Sequence, residues 1–184
     1  QGIGLAKRLR RSFRSPVEQA ANLAALIETD LGVDVAIQPL GQLDGLAAAT
    51  GSARLILAAT STVPARQRFT LAHELGHLAA SDDQQLHTDE NVYARGGEGE
   101  MRANAFAAEL LMPEAALADR VHRGSLWFEE LVWELQVSPT ALAHRLGNLK
   151  LIDGTERNRL LAVEMDRVVT ILGRQQDYAA RVAE

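Results

Sequence analysis

The sequence predicts an α+β protein: a short mixed β-sheet plus active-site helices, followed by a helical, helix-turn-helix-like module. Three observations carry this. Two short apolar runs, residues 33–37 and 54–58, have the length and composition of strands. From about residue 65 onward, apolar residues recur at the spacing of helices that bury one face. One of those helices contains His73-Glu74-Leu75-Gly76-His77, a metal-binding pattern. With 184 residues and 47% hydrophobic content, the chain can bury a sizeable core, as one domain with appendages or as two small ones.

Taken in order, residues 1–15 hold Lys7, Arg8, Arg10, Arg11 and Arg14 with no acid, and read as a solvated basic tail or linker more readily than as a nucleic-acid arm. Ser15-Pro16-Val17-Glu18 has the form of a capping box with proline at the first helical position, predicting a helix to about Leu31, before Gly32. The strand-like runs 33–37 and 54–58 follow, with Asp44-Gly45 marking a turn between them. The metal-binding helix starts near Ala65. Residues 81–99 are polar and contain Gly96, Gly97 and Gly99, so they read as a loop bordering the cleft. His87, Tyr93 and Arg95 within it are candidates for stabilising an oxyanion. A second helix spans 98–112 and stops at Pro113, with an apolar stripe at Ala103, Phe106, Ala107 and Leu110.

Residues 128–135, the turn 136–138 and residues 139–149 have the layout of a helix-turn-helix. Thr140, His144 and Asn148 would face DNA in that reading. Charge opposes it, because Arg145 and Lys150 stand against Glu129, Glu130 and Glu134, a net of -1, whereas phosphate contact needs a basic surface. Direct DNA binding is therefore not expected. Leu160, Val163, Arg167, Val168 and Ile171 fall at helical spacing, predicting a C-terminal packing or dimer helix over 154–184 and so leaving room for a homo-oligomer.

The pattern at His73 has a direct chemical meaning. Residues four apart on a helix lie about 40° apart around the axis and about 6 Å along it, so both imidazoles can reach one ion. Glu74 beside the first of them is placed as the general base of a zinc peptidase. A chance match in a chain of this composition has a probability on the order of one percent, so a third ligand must support it. No cysteine is present, and Ala80 and Asp83 stand where a longer motif would have glycine and a third histidine. The remaining candidates are Asp82, Asp83, Asp89, Glu90, Glu98, Glu100 and Glu109. Glu100 continues the buried stripe of its helix, while Glu98 and Glu109 lie about 200° and about 180° away from it, so only Glu100 is expected to point inward. Asn104, one turn on, could accept a hydrogen bond from a ligand histidine.

Two linked segments sharpen the reading. They are Arg66-Gln67-Arg68-Phe69-Thr70-Leu71-Ala72-His73-Glu74-Leu75-Gly76-His77 and Glu100-Met101-Arg102-Ala103-Asn104-Ala105-Phe106-Ala107-Ala108-Glu109-Leu110-Leu111-Met112-Pro113. Together they resemble the ImmA/IrrE family of zinc metallopeptidases, and the likeness extends from about Gly32 to Asp153. The resemblance implies a small zincin-like α+β domain, related in its active-site helices to thermolysin, with one zinc ion on His73, His77 and Glu100 and with Glu74 catalytic. It also implies a protein substrate, because relatives cleave helix-turn-helix repressors and so switch on genes of mobile elements or stress responses. The organisation expected on this basis is a basic tail or linker at 1–15, a zincin-like core at 16–120, a helix-turn-helix-like module at 121–153 and a C-terminal helix at 154–184. Residues 54–58, just ahead of the metal helix, are the expected edge for pairing with a substrate backbone. Two positions depart from the family pattern: Arg102, where many relatives are acidic, and Ala58-Ala59-Thr60, where an asparagine is common. The competing class is a noncatalytic, metal-containing regulator that binds DNA or a repressor through residues 126–150.

Other classes are disfavoured by composition. No apolar run approaches the roughly 18 residues of a membrane span, and the basic start has no apolar segment behind it. The absence of cysteine rules out a disulfide scaffold and fits a reducing, cytoplasmic setting. A net charge of -5 speaks against nonspecific nucleic-acid binding by the whole chain. The first residue is Gln1 rather than methionine, so an upstream domain in a longer protein stays open.

Overall fold

The sheet has three strands, one more than the sequence pattern announces. In the computed structural model, which describes residues 1–81 and 97–183, strands β1 (Asp34–Gln38), β2 (Gly45–Thr50) and β3 (Ala53–Ala59) form a mixed sheet in the order β1-β3-β2. β1 runs parallel to β3, with Asp34 opposite Leu55, and β2 runs antiparallel to it, with Gly45 opposite Ala58. The strand the pattern misses is β2. Its glycine and run of three alanines have low strand propensity, and it exists because the Gly51-Ser52 turn, with Gly51 at φ 58°, folds it back onto β3. One expectation is corrected directly. β3 is the central strand, paired on both sides, so residues 54–58 offer no edge to a substrate; β1 and β2 are the outer strands.

Helix α1 (Gly2–Leu9) replaces the expected basic tail. Gly2 and Ala6, one turn apart, form a face flat enough to pack on helix α4 (Glu98–Leu111): a Cβ on Gly2 would lie 2.2 Å from the carbonyl oxygen of Arg102. Three of the five basic side chains pair within the chain. Lys7 lies 4.0 Å from Glu109, Arg10 donates to Glu18 at 2.7 Å and to the Leu110 carbonyl at 2.8 Å, and Arg14 pairs with Asp30 at 3.3 Å. Glu109, expected to point outward, is buried where α1 packs on α4, whereas the Glu100 side chain stays 37% exposed.

The helix expected to begin at Ser15 begins later, as α2 (Leu23–Leu31). Asn22 caps it, Oδ1 accepting from the Ala25 amide at 2.9 Å, and Gly32 ends it at φ 62°. Residues Val17–Gln19 make only a 3₁₀ turn. Arg68, buried on helix α3 (Pro64–Ala80), donates to the carbonyls of Val17, Glu18 and Ala20 at 2.8, 3.1 and 2.7 Å, tying this turn to α3. On α4 the expected stripe is buried: Ala103, Phe106, Ala107 and Leu110.

The described residues divide into two compact units, one of residues 1–61 and 67–111, the other of 62–66 and 112 onward. The division falls at 111/112, ahead of the boundary expected near 120. The second unit holds α5 (Glu114–Ala118), α6 (Trp127–Leu135) and α7 (Pro139–Asn148). α6 and α7 are joined by Gln136, at φ 55°, Val137 and Ser138, whose Oγ caps α7 by accepting from the Ala141 amide at 3.1 Å. Both bury apolar side chains: Phe128, Leu131, Val132 and Leu135 on α6, and Leu142, Ala143 and Leu146 on α7. Thr140, His144 and Asn148 are exposed, but Arg145 is buried, its Nε donating to the Met112 carbonyl at 3.0 Å. The single expected C-terminal helix is three short ones, α8 (Gly154–Leu160), α9 (Met165–Ile171) and α10 (Gln175–Ala183). Asp153 caps the first, and Gly173, at φ 66°, separates the last two. No described helix is long and apolar enough to cross a membrane.

Candidate metal centre

Two helices of the first unit build the site. On α3, His73 and His77 stand one turn apart on one face, as their spacing requires, and on α4 Glu100 comes from the first turn. The helices can approach closely because α3 carries Gly76 between its ligands: a Cβ there would lie 3.1 Å from Phe106 Cδ1 and 3.2 Å from Ala103 Cα. Gly76 is thus a site-building residue that spacing arguments overlook, although a glycine inside an apolar helix signals such contact.

The donor atoms of His73, His77 and Glu100 all lie within 4.8 Å of one another. The two Nε2 atoms are 3.1 Å apart, His73 Nε2 is 3.3 Å from Glu100 Oε2, and His77 Nε2 is 3.2 Å from Glu100 Oε1. Ligand atoms at about 2.0–2.1 Å around a tetrahedral ion lie about 3.3 Å from each other, so this donor set fits a small divalent cation. With His73 Nδ1–H donating to Asn104 Oδ1 at 3.1 Å, the Nε2 lone pair is directed to the centre. Burial, and secondarily the neighbouring His77, lowers the pKa of His73, which favours the neutral imidazole that ligation needs. Glu100 and Asn104 pull in the opposite direction.

Glu74, next in sequence to His73, is buried and close enough to Glu100 to feel its charge. Burial, reinforced by the negative charges of Glu100 and Asp44, pushes its pKa up to about 8. Its neighbour across the sheet is Gly45, the first residue of β2: a Cβ on Gly45 would lie 2.8 Å from Glu74 Oε1. Asp44 and Gly45 had been read from the sequence as a turn. The signal available was a glycine at the start of an unrecognised strand.

Of the carboxylates weighed as third ligand, Glu100 joins the histidines, Glu98 is an exposed first residue of α4, and Glu109 lies with α1. Asp82, Asp83, Asp89 and Glu90, and the oxyanion candidates His87, Tyr93 and Arg95, lie outside the described residues.

Residues 28–147, well over half of the chain, match the family model of the IrrE N-terminal-like domain, peptidase M78. The radiation response metalloprotease IrrE of Deinococcus radiodurans is 38% identical over 96 residues, covering 50% of this chain and 29% of that protein. Its namesake from Deinococcus deserti is 35% identical over 96 residues, 50% of this chain and 34% of the relative. The likeness therefore spans about a third of each of those longer proteins. Among solved structures, a Mycobacterium tuberculosis transcriptional regulator superposes with a TM-score of 0.53 at 21% identity, covering 79% of this chain and 45% of that one, a likeness of fold. The match over residues 28–147, together with a His-His-Glu cluster built by the two motif-bearing helices, makes this chain a member of the IrrE N-terminal-like, peptidase M78 family.

Proposed function

We propose that this chain is a zinc-dependent endopeptidase with a zincin-like core, in which His73, His77 and Glu100 hold one zinc ion and Glu74 is the general base. The observation that carries the proposal is the convergence of two Nε2 atoms and a carboxylate within 4.8 Å, with a buried carboxyl group on the next residue after the first histidine. A zinc ion held there would supply a water of lowered pKa, toward about 7, and a Lewis acid for a carbonyl group. The chain's own residues do the rest. Glu74 takes the proton from the attacking water and returns it to the leaving amine. Burial of Glu74 keeps bulk water from competing for its carboxyl group. Asn104 fixes the ring orientation and tautomer of His73 through the 3.1 Å contact.

The peptidase core of this proposal includes residues 1–15, since α1 packs on the ligand helix α4. Residues 121–153 form a helix-turn-helix-like module used for stability or substrate recognition. Two features support a role other than DNA binding: the acidic balance of residues 126–150, and the burial of Arg145 against the Met112 carbonyl. The substrate is a helix-turn-helix transcriptional repressor, cut in an exposed, extended segment in the cytoplasm to derepress genes of a mobile element or a stress response. Support comes from the family likeness and from the relatives named for a radiation response.

Mixing the purified protein and zinc with the repressor encoded beside its gene tests this. Two discrete fragments, absent with chelator, are expected. A repressor that binds stoichiometrically, stays intact under every metal condition and still leaves its DNA would establish the noncatalytic regulator instead.

A further inference from the structure

Gly45 opens strand β2, where a glycine is poorly suited to its place. Glycine gives up more conformational freedom than any other residue on entering a strand, and it packs no side chain there. A left-handed backbone would excuse it, but Gly45 is an ordinary paired strand residue opposite Ala58, without the positive φ seen at Gly51 or Gly32. Space is the remaining reason. A Cβ at this position would lie 2.8 Å from Glu74 Oε1, 2.9 Å from Glu74 Cγ and 2.8 Å from Thr70 Cγ2, all closer than side-chain carbons approach in folded proteins. Thr70 and Glu74 are one turn apart on α3, so the backbone of β2 crosses this helix where the carboxylate lies.

We propose that Gly45 is a positioning residue for Glu74: its missing side chain leaves the space in which the Glu74 carboxylate is held beside His73 and His77. The carboxylate has little freedom to yield elsewhere, because Glu74 is buried. A side chain at position 45 therefore displaces the carboxylate. The outer strand of the sheet thus has a second function, as a wall that sets the reach of the general base. The inference rests on the proposed role of Glu74 for its catalytic consequence, but its geometric part stands without that role.

The test is Gly45→Ala, read in three ways. Crystal structures of the wild-type and variant proteins should show the Glu74 carboxylate displaced by about 1 Å, the scale at which catalytic geometry fails, with His73, His77 and Glu100 in place. Zinc affinity, measured by competition with a chromophoric chelator, should stay within about 3-fold of wild type, well short of the 10–100-fold loss typical when a ligand's own support is removed. Against the neighbouring repressor, kcat should fall about 100-fold with KM little changed, because a base moved by about 1 Å affects the transition state rather than binding. An unmoved Glu74 with β2 shifted away, or an unmoved Glu74 with full kcat, overturns the inference. If the wild-type protein cuts nothing, the peptidase reading fails, and the crystal structures still decide where Gly45 holds Glu74. Should Gly45→Ala not fold, Gly45→Ala with Thr70→Ser removes the methyl group on one side and permits the same structural comparison.

Discussion

The helix pairs α3/α4 and α6/α7 share a secondary structure and differ in what they bury. Between α6 and α7 the interior is apolar, and the one buried cation, Arg145, is tied to the Met112 backbone. The first pair instead turns His73, His77 and Glu100 toward one point, with Glu74, Arg68 and Glu109 buried along the same two helices. Burying carboxyl and imidazole groups is costly unless each finds a partner, so a cluster of them on well-packed helices marks chemistry, whereas an apolar seam marks structure. The comparison therefore locates function by where desolvated polar groups converge, and it can be broken by substitutions on either side.

The largest effect is expected from Glu74→Gln, which keeps the side chain's shape and removes its basicity. Repressor cleavage should fall by about 10²- to 10⁴-fold while zinc content, measured by elemental analysis, is unchanged. Cleavage at the wild-type rate would show that the buried carboxyl group has no part in the reaction.

Removing Asn104, which holds His73 Nδ1 at 3.1 Å, acts one step further out. Asn104→Ala should weaken zinc binding by about 10- to 100-fold in a chelator competition, because the His73 ring loses its orienting partner. Equal affinities for variant and wild type would reduce Asn104 to a packing residue.

In the second unit the expectation reverses. Leu131 is fully buried, so Leu131→Ala should lower unfolding stability by about 2–5 kcal/mol in urea titration. Zinc affinity at 25 °C should not change while the protein remains folded. A fall in affinity parallel to the loss of stability would mean that α6/α7 belongs to the metal site's support, and the contrast between the two pairs would lose its meaning.

What the sequence disclosed followed the same division between local and distant causes. The pairing of His73 with His77 on one face of α3 follows from helical periodicity, which is local, whereas Glu100 reaches them from α4 through the packing of the two helices. Elements that depend on tertiary partners stayed hidden. β2 is poor in strand-forming residues and is held by its hairpin with β3; α1 looked like a charged tail because Glu109, Glu18 and Asp30, which pair with its cations or those just after it, lie elsewhere in the chain. Where a helix is expected from Ser15, the carbonyls of Val17 and Glu18 bind Arg68, about fifty residues away, a partner the local sequence does not announce. Gly45 and Gly76 carry only a general signal in the sequence, because the neighbour that a space-making glycine makes room for is set by the fold.

The central claim is that His73, His77 and Glu100 are the metal's protein ligands, and zinc K-edge X-ray absorption of the wild-type, Glu100→Ala and Glu98→Ala proteins tests it most directly. The account predicts one zinc per chain in the wild-type protein, with two imidazole nitrogens and oxygen ligands at about 2.0–2.2 Å. It also predicts loss of zinc or of the carboxylate signal in Glu100→Ala, and an unchanged spectrum in Glu98→Ala. Full occupancy with an unaltered spectrum in Glu100→Ala, or loss of zinc in Glu98→Ala, would contradict it.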